Sequence, residues 1–398
     1  MEKKTIREPE KHVPVIADYD VLICGGGVAG VAAALSAARN GMSVGIVEKN
    51  YGFGGLATLG LICDFLPLCD GAGHQVIGGI AEEFFFAAAK KGAERLPDCW
   101  LDPEGSKEER IKHRLRMHFT PACFQLELDY LVSQAKIDVL FDTRLCAIVR
   151  EGNRVAGAIV ENKSGRNAIV CKAMVDATGD ADAVYLAGER TEALHDNRRS
   201  GWFYTKEGAD VRLYIVGDPF FQPVPEGAPV FSGDDAGSVT AFCLNARQMI
   251  REKMKEINEL PGKEGAIPLI LPSIPQMRKT RRLAGIGELT VEDRKYHEDT
   301  IGMAGYYRTP GTILCIPYRA LVCKTVENLF AAGRCISCRE DAWNITRGIP
   351  SSSITGQAAG TAAALCVIEK TSAQQLDVTR LRHTLRAQGV RLDLPPTA

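Results

Sequence analysis

Gly25, Gly27 and Gly30 stand in the spacing GxGxxG, and an acid, Glu48, closes the second apolar run after them. Residues of these types in this pattern can hold a dinucleotide. The first glycine permits a tight turn, the second lets backbone N–H groups approach a pyrophosphate, and the third lets a helix pack closely on a strand. The helix that follows adds partial positive charge at its N-terminus. Glu48 is expected to accept hydrogen bonds from a ribose and to repel a 2′-phosphate. Ala29, inside the motif, and Lys49, beside the acid, complete this first predicted contact set.

Other residues suggest chemistry rather than binding. His74, in the glycine-rich loop Asp70–Gln75, has the side chain of a general base. Tyr307, between Tyr306 and Arg308, offers a phenol to a polar substrate. Cys335 and Cys338 form a CxxC, and Cys63 with Cys69 forms a wider pair, so both invite a thiol–disulfide reading. The cysteines are not arranged as two ligand pairs with matching histidines, and no metal site is expected.

These residues need elements to position them. Tyr19 to Cys24 reads as a buried parallel strand, Ala29 to Asn40 as an alanine-rich helix ended by Gly41, and Ser43 to Val47 as a second strand, which together make a βαβ unit. Gly152-Asn153 reads as a hairpin turn between Leu145–Val149 and Val155–Val160, with Ile169 to Val175 as a further strand. A loop-rich patch with Pro219, Pro223, Pro225 and Pro229 precedes a helix expected over Ser238 to Glu259. Strands at Thr312–Ile316 and Asn328–Ala332, then a small-residue helix from about Ser353 to Ile368, complete the chain.

The predicted fold class is α/β: a Rossmann-like binding domain over residues 15–200 and 311–390, with an inserted α+β substrate domain over 201–310. Among 398 residues, 45% are hydrophobic and 24% charged, with a formal net charge of −1. That balance gives no electrostatic reason to expect nucleic acid or an acidic membrane surface, and small molecules are the expected partners. Val21 to Ala38 is apolar enough to be compared with a membrane span, but its glycines break the continuity a span needs. The charged segment Met1–Glu10 is read as a loose leader, not a signal peptide. Thirteen cysteines without regular spacing read as reduced thiols in a cytoplasmic protein.

Three further motifs carry a family resemblance: Gly54-Gly55 with Thr58, Ala177-Thr178-Gly179 after a strand, and Gly333-Arg334 near the C-terminus. In this order the chain resembles FAD-dependent oxidoreductases with the glutathione-reductase-type fold, close to a subgroup related to the flavin subunit of heterodisulfide reductase. Arg281-Arg282 with Gly285, Asp299, Ile316–Arg319 and Thr355–Thr361 extend the likeness over nearly the whole chain. The resemblance implies FAD as cofactor, with Gly54, Gly55, Thr58, Ala177, Thr178, Gly179, Gly333 and Arg334 among its contacts. Ser353, Gly356 and Gln357 would open a helix whose N-terminus faces the flavin N1/O2 edge and stabilises its reduced state. Arg347, just before it, would hold a carboxylate or that same edge.

The sequence departs from many relatives at Gly305–Thr309, where they carry Asp-Ile-His. The expected reaction is hydride exchange between a small organic substrate and flavin N5, with His74, Tyr307 or Arg347 assisting. A thiol–disulfide enzyme and a FAD electron-relay subunit are the alternatives. A separate electron acceptor and self-association are expected as possible partners of such a flavoprotein.

Overall fold

The computed structural model describes residues 5–218, 223–292 and 296–395. Pro219 of the proline-rich patch and residues 1–4 lie outside the described residues.

The central sheet has seven strands. Val15–Cys24 lies in the middle, paired in parallel with Val44–Val47 on one side and with Gly165–Asp176 on the other. Asp138–Leu140 extends the parallel part beyond Val44–Val47. The central strand starts earlier than its apolar half suggests, because its half-exposed first residues still find a ladder partner in Ala168–Cys171.

Gly165–Asp176 is long enough to take two partners along one edge. Its first half pairs antiparallel with Arg154–Asn162, which continues through the Gly152 turn into Arg144–Glu151. Its last residues, Met174–Asp176, pair in parallel with Leu329–Ala331. This return of the distant C-terminal segment brings three strand ends, Cys24, Asp176 and Ala331, side by side.

Period-two alternation sorts the core. Val21 and Ile23 face the cluster built with the helices Val28–Arg39 and Ile349–Glu369, while Leu22 and Cys24 face the smaller cluster with Val155, Val184 and Leu329. The stretch Val21–Ala38 is therefore a strand and a helix, with the break between Cys24 and Val28. Among the described residues no helix is long and apolar enough to cross a membrane.

Ile349–Glu369 begins four residues before its expected start, because Pro350 fits the first helical turn, where its missing N–H costs nothing. Its glycines explain how it meets Val28–Arg39. A Cβ at Gly356 would stand 2.2 Å from the Ala29 carbonyl oxygen, and one at Gly360 would stand 2.1 Å from that of Ala33. Two glycines four apart thus face two alanines four apart, and the helices cross in backbone contact. The Ser36 and Thr361 hydroxyls, 2.7 Å apart, join the same crossing.

Beyond the main sheet, Ser200–Glu207 pairs antiparallel with Asp210–Gly217 and with Ile267–Ile270, and the helix Ala236–Asn258 packs on them through Ile250, Met254 and Ile257. Phe203 is the fully buried centre of this smaller unit. The strand Thr300–Gly305 pairs with Ile313–Pro317 across residue 310, where the sequence suggested a boundary. Gly302 of that hairpin also presses on Ile354 of the long helix, so the hairpin packs with the main sheet's helices.

Candidate functional site

The turn after the central strand is built by steric necessity. Gly25 has φ +107°, and a Cβ there would meet the Ala177 carbonyl oxygen at 2.4 Å. A Cβ at Gly30 would stand 1.8 Å from the Gly25 carbonyl oxygen, so the third glycine lets the helix start against the turn itself. Gly27, at the helix N-cap, differs from both. Its φ is −66°, and a Cβ there would meet no atom within 4 Å. The chain itself has no packing need for glycine at this position, which opens on a cavity.

That cavity has a volume of about 820 Å³ and is lined by Gly27, Ala29, Glu48, Lys49, Gly54, Gly55, Ala177, Thr178, Gly179 and Arg334. The same cavity continues onto Trp202, Arg278 and Tyr307 and onto Arg347-Gly348-Ile349 at the N-terminus of the long helix. Four motifs far apart in sequence therefore share one space.

Backbone hydrogen bonds hold the lining together. Gly54 N–H donates to the Gly26 carbonyl at 2.9 Å, laying the second glycine pair beside the first. Glu48 Oε2 accepts from Gly26 N–H at 2.6 Å, and its Oε1 accepts from the Asn50 backbone and side chain at 2.7 and 2.6 Å. Glu48 thus shapes the glycine turn while its carboxylate lines the cavity. Asp176, fully buried at the end of its strand, accepts from the Thr178 backbone and hydroxyl and from Val184 N–H. Burial pushes its carboxyl up to about 6, against those hydrogen bonds.

Asp180 is the electrostatic hinge of the wall. Its carboxylate meets Arg334 at 2.8 Å and Lys49 at 3.4 Å and accepts from the Thr280 hydroxyl. Burial works to raise its carboxyl, but Arg334 and Lys49 prevail and hold it below the usual range. Arg334 also donates to the carbonyls of Gly179 and Met277, at 2.5 and 2.6 Å. It is a clamp joining the third motif, the C-terminal motif and the segment that carries Arg278.

Several predicted residues do not line the cavity, and packing explains each. Gly25 and Gly30 serve the turn, as above. The Thr58 hydroxyl donates to the Phe53 carbonyl and so closes its own loop. Gly333, with φ +69°, makes room for Ala29. Ser353 donates to Ile349 O, Gly356 serves the helix crossing, and Gln357 Oε1 accepts from Ile80 N–H at 2.8 Å. Helix residues 353–357 are buried among other elements, and the lining comes from the turn before them, through Gly348, Ile349 and Ser352.

Of the predicted catalytic groups, Tyr307 and Arg347 line the cavity and His74 does not. His74 Nδ1 lies 2.9 Å from Asp70, which also accepts from the backbone N–H groups of Ala72 and His74, so the imidazole closes a local turn.

The cysteines are all unbonded thiols. Burial pushes Cys335 well above its ordinary value, pushes Cys338 up to about 12, and raises Cys63 and Cys69 as well. Protonated, buried thiols are poor nucleophiles, which disfavours the disulfide reading.

Three contributors carry no local sequence pattern. Asp64 lines the cavity, and burial raises its carboxyl, with Arg116 and His118 opposing. Gln276 is buried and donates to Gly60 O at 2.6 Å, while its Oε1 accepts from Trp202 N–H at 2.8 Å, so it ties the smaller unit to the loop after Gly54-Gly55. Arg278, two residues on, lies over the Trp202 ring with 5.6 Å to its centroid. Only tertiary proximity reveals them.

The residues present fit an extended dinucleotide: a glycine with open space before it at a helix N-terminus, a second glycine pair alongside, and an acid at the end of the neighbouring strand. The class so defined is a dinucleotide-binding α/β protein with a smaller unit contributing to its cavity. The chain belongs to the FAD dependent oxidoreductase family, whose model matches residues 20–201 and 232–385. It is an oxidoreductase and a flavoprotein, with FAD as its cofactor.

Solved structures share the fold at low identity. The chain is similar to CabE, an aromatic hydroxylase from angucycline biosynthesis, at 14% identity over 94% of this chain and 69% of that one, with a TM-score of 0.50. It is similar to a triple mutant of the flavin-dependent brominase Bmp2, at 14% identity over 93% and 84% of the two chains and a TM-score of 0.50. A third is p-nitrophenol 4-monooxygenase PnpA from Pseudomonas putida DLL-E4, at 10% identity over 93% and 86%, again with a TM-score of 0.50. No curated protein matches the sequence.

Proposed function

We propose that this flavoenzyme has the glutathione-reductase-type FAD fold and exchanges a hydride between a small organic substrate and flavin N5. The observation that carries the proposal is the continuity of one cavity from the glycine cradle to the polar and aromatic side chains of the cap. Bound FAD supplies the two-electron acceptor.

The chain's own residues do the rest. Gly27 and Gly54-Gly55 would present backbone to the diphosphate of bound FAD, and Glu48 would meet its ribose. The N-terminus of Ile349–Glu369 directs partial positive charge into the cavity. Asp64, its carboxyl raised by burial, is suited to take a proton from the substrate, and the Tyr307 phenol is suited to orient the group that loses it. The unit over 201–310 covers the substrate, with Trp202 forming one wall. The enzyme acts in the cytoplasm, where its thirteen cysteines remain thiols, passes electrons to a separate acceptor and self-associates.

The test is anaerobic bleaching of the yellow FAD-loaded protein by a panel of small alcohols, amines and unsaturated acids. Bleaching by one of them, slowed at least tenfold in Asp64→Asn or Tyr307→Phe at unchanged FAD content, supports the proposal. Reduction by dithiols alone, or by redox proteins alone, would replace it with the thiol or electron-relay reading.

A further inference from the structure

The acids and bases that line the cavity are unevenly paired. Among the carboxylates of the lining, Glu48 is bonded to Gly26 and Asn50, Asp180 to Arg334 and Lys49, and Asp182 to Arg281 at 2.6 Å. Asp64 faces Arg116 at 3.3 Å, Asp234 accepts from the Ser232 hydroxyl, and Asp235 caps the helix Ala236–Asn258 through Ser238 N–H. Every acid of the lining therefore has a partner.

Arg278 has a different surrounding. Its guanidinium lies over Trp202, and among the described residues it makes no ion pair with a carboxylate. Burial pushes it down to about 9, and the charges acting on it, Arg347 and then Arg334, are of its own sign. Arg347 is likewise pushed down to about 10 by burial, with Tyr307 opposing and Arg334 reinforcing the shift. A half-buried cation placed on an aromatic wall with like charges near is costly unless an anion joins it.

Arg278 sits on the segment that Gln276 ties to Trp202 and to Gly60 and that Arg334 holds through the Met277 carbonyl, whereas Arg347 precedes the helix N-terminus. The two guanidiniums come from different units and line one cavity. We propose that Arg278, with Arg347, receives an oxyanion carried by the substrate, so that the enzyme selects small anionic compounds and seats them between the cap and the flavin-binding unit. Planar guanidinium forks match a carboxylate or a phosphate bidentately, and both sources are separable by experiment.

This inference rests on the oxidoreductase reading for its substrate but not for its test. Binding to the FAD-loaded protein is followed by perturbation of the visible flavin spectrum, without turnover, using benzoate, phenyl phosphate and the neutral benzamide. One or both anions are expected to perturb the spectrum, with benzamide at least tenfold weaker. Arg278→Leu is expected to weaken anion binding about 10- to 100-fold while keeping its FAD, with partial recovery in Arg278→Lys. The stronger of the two anions identifies the source. Equal binding of benzamide, no response to either anion, anion binding unchanged in Arg278→Leu, or loss of FAD from that variant would each overturn the proposal. If the anions bind but no organic compound ever bleaches the flavin, the hydride reading fails and the anion site stands.

Discussion

Replacing Gly27 by alanine separates what the chain needs from what its cofactor needs. At Gly25, Gly30 and Gly356 an added methyl meets backbone oxygen at 2.4, 1.8 and 2.2 Å, but at Gly27 it meets nothing within 4 Å and the φ of −66° suits any residue. The apo-protein should therefore tolerate Gly27→Ala. Loss of a favourable N-cap residue costs about 0.5–1.5 kcal/mol, and restriction of the unfolded chain returns about 0.4–1 kcal/mol. Net stability should stay within about 1 kcal/mol of wild type. The same methyl points into the space where backbone N–H groups must reach a pyrophosphate. Overpacking of one methyl costs about 1–3 kcal/mol, which corresponds to FAD binding about 5- to 150-fold weaker. The assay pairs thermal unfolding of the FAD-stripped proteins with FAD titration by quenching of flavin fluorescence. A variant that binds FAD as tightly as wild type would refute the assignment of this glycine to the diphosphate. A variant whose apo-form unfolds much earlier would refute the claim that the position is free of packing.

Two further outcomes follow from packing and burial. Gly356→Ala gains about 1 kcal/mol of helix propensity but forces a Cβ against the Ala29 carbonyl at 2.2 Å, where neither backbone can swing away, so the two long helices must separate. A net loss of about 1–2 kcal/mol is expected in urea unfolding of the apo-protein, and an unchanged or raised midpoint would contradict the crossing. Asp176 titrates near 6 in the folded protein because of burial, against 3.8 as its ordinary value, so the folded state keeps a proton that the unfolded chain releases between these values. Its contribution to stability is present below about pH 4 and is lost as pH rises to about 6, by about 3 kcal/mol. Asp176→Asn, neutral throughout, should gain on wild type over that window and run parallel above it; unfolding profiles of identical slope would exclude the shift.

Much of the fold was legible because it depends on near neighbours in the chain. Alternation at Leu22 and Ile23, the break at Gly25–Gly27 and the hairpin at Gly152 follow from side-chain periodicity and turn sterics, which local sequence expresses directly. A bound dinucleotide was legible for the same reason, since a strand, a glycine turn, a helix and a terminal acid are consecutive; that it is FAD followed from the resemblance carried by three further motifs. The C-terminal glycines were legible as glycines only. Gly356 suits a cofactor approach or a helix crossing equally well in sequence, and Ala29, more than 300 positions away, decides for the crossing.

What the sequence determined by itself was therefore the βαβ cradle, the dinucleotide and the places where side chains had to be absent. The tertiary structure alone decided which predicted residues reach the cavity. It set His74 aside in a turn closed by Asp70, kept Tyr307 and Arg347, and brought in Asp64 and Arg278, which no motif announces. The physical reason is that backbone conformation is written over a few residues, whereas the field and shape of a site sum over segments that meet only after folding.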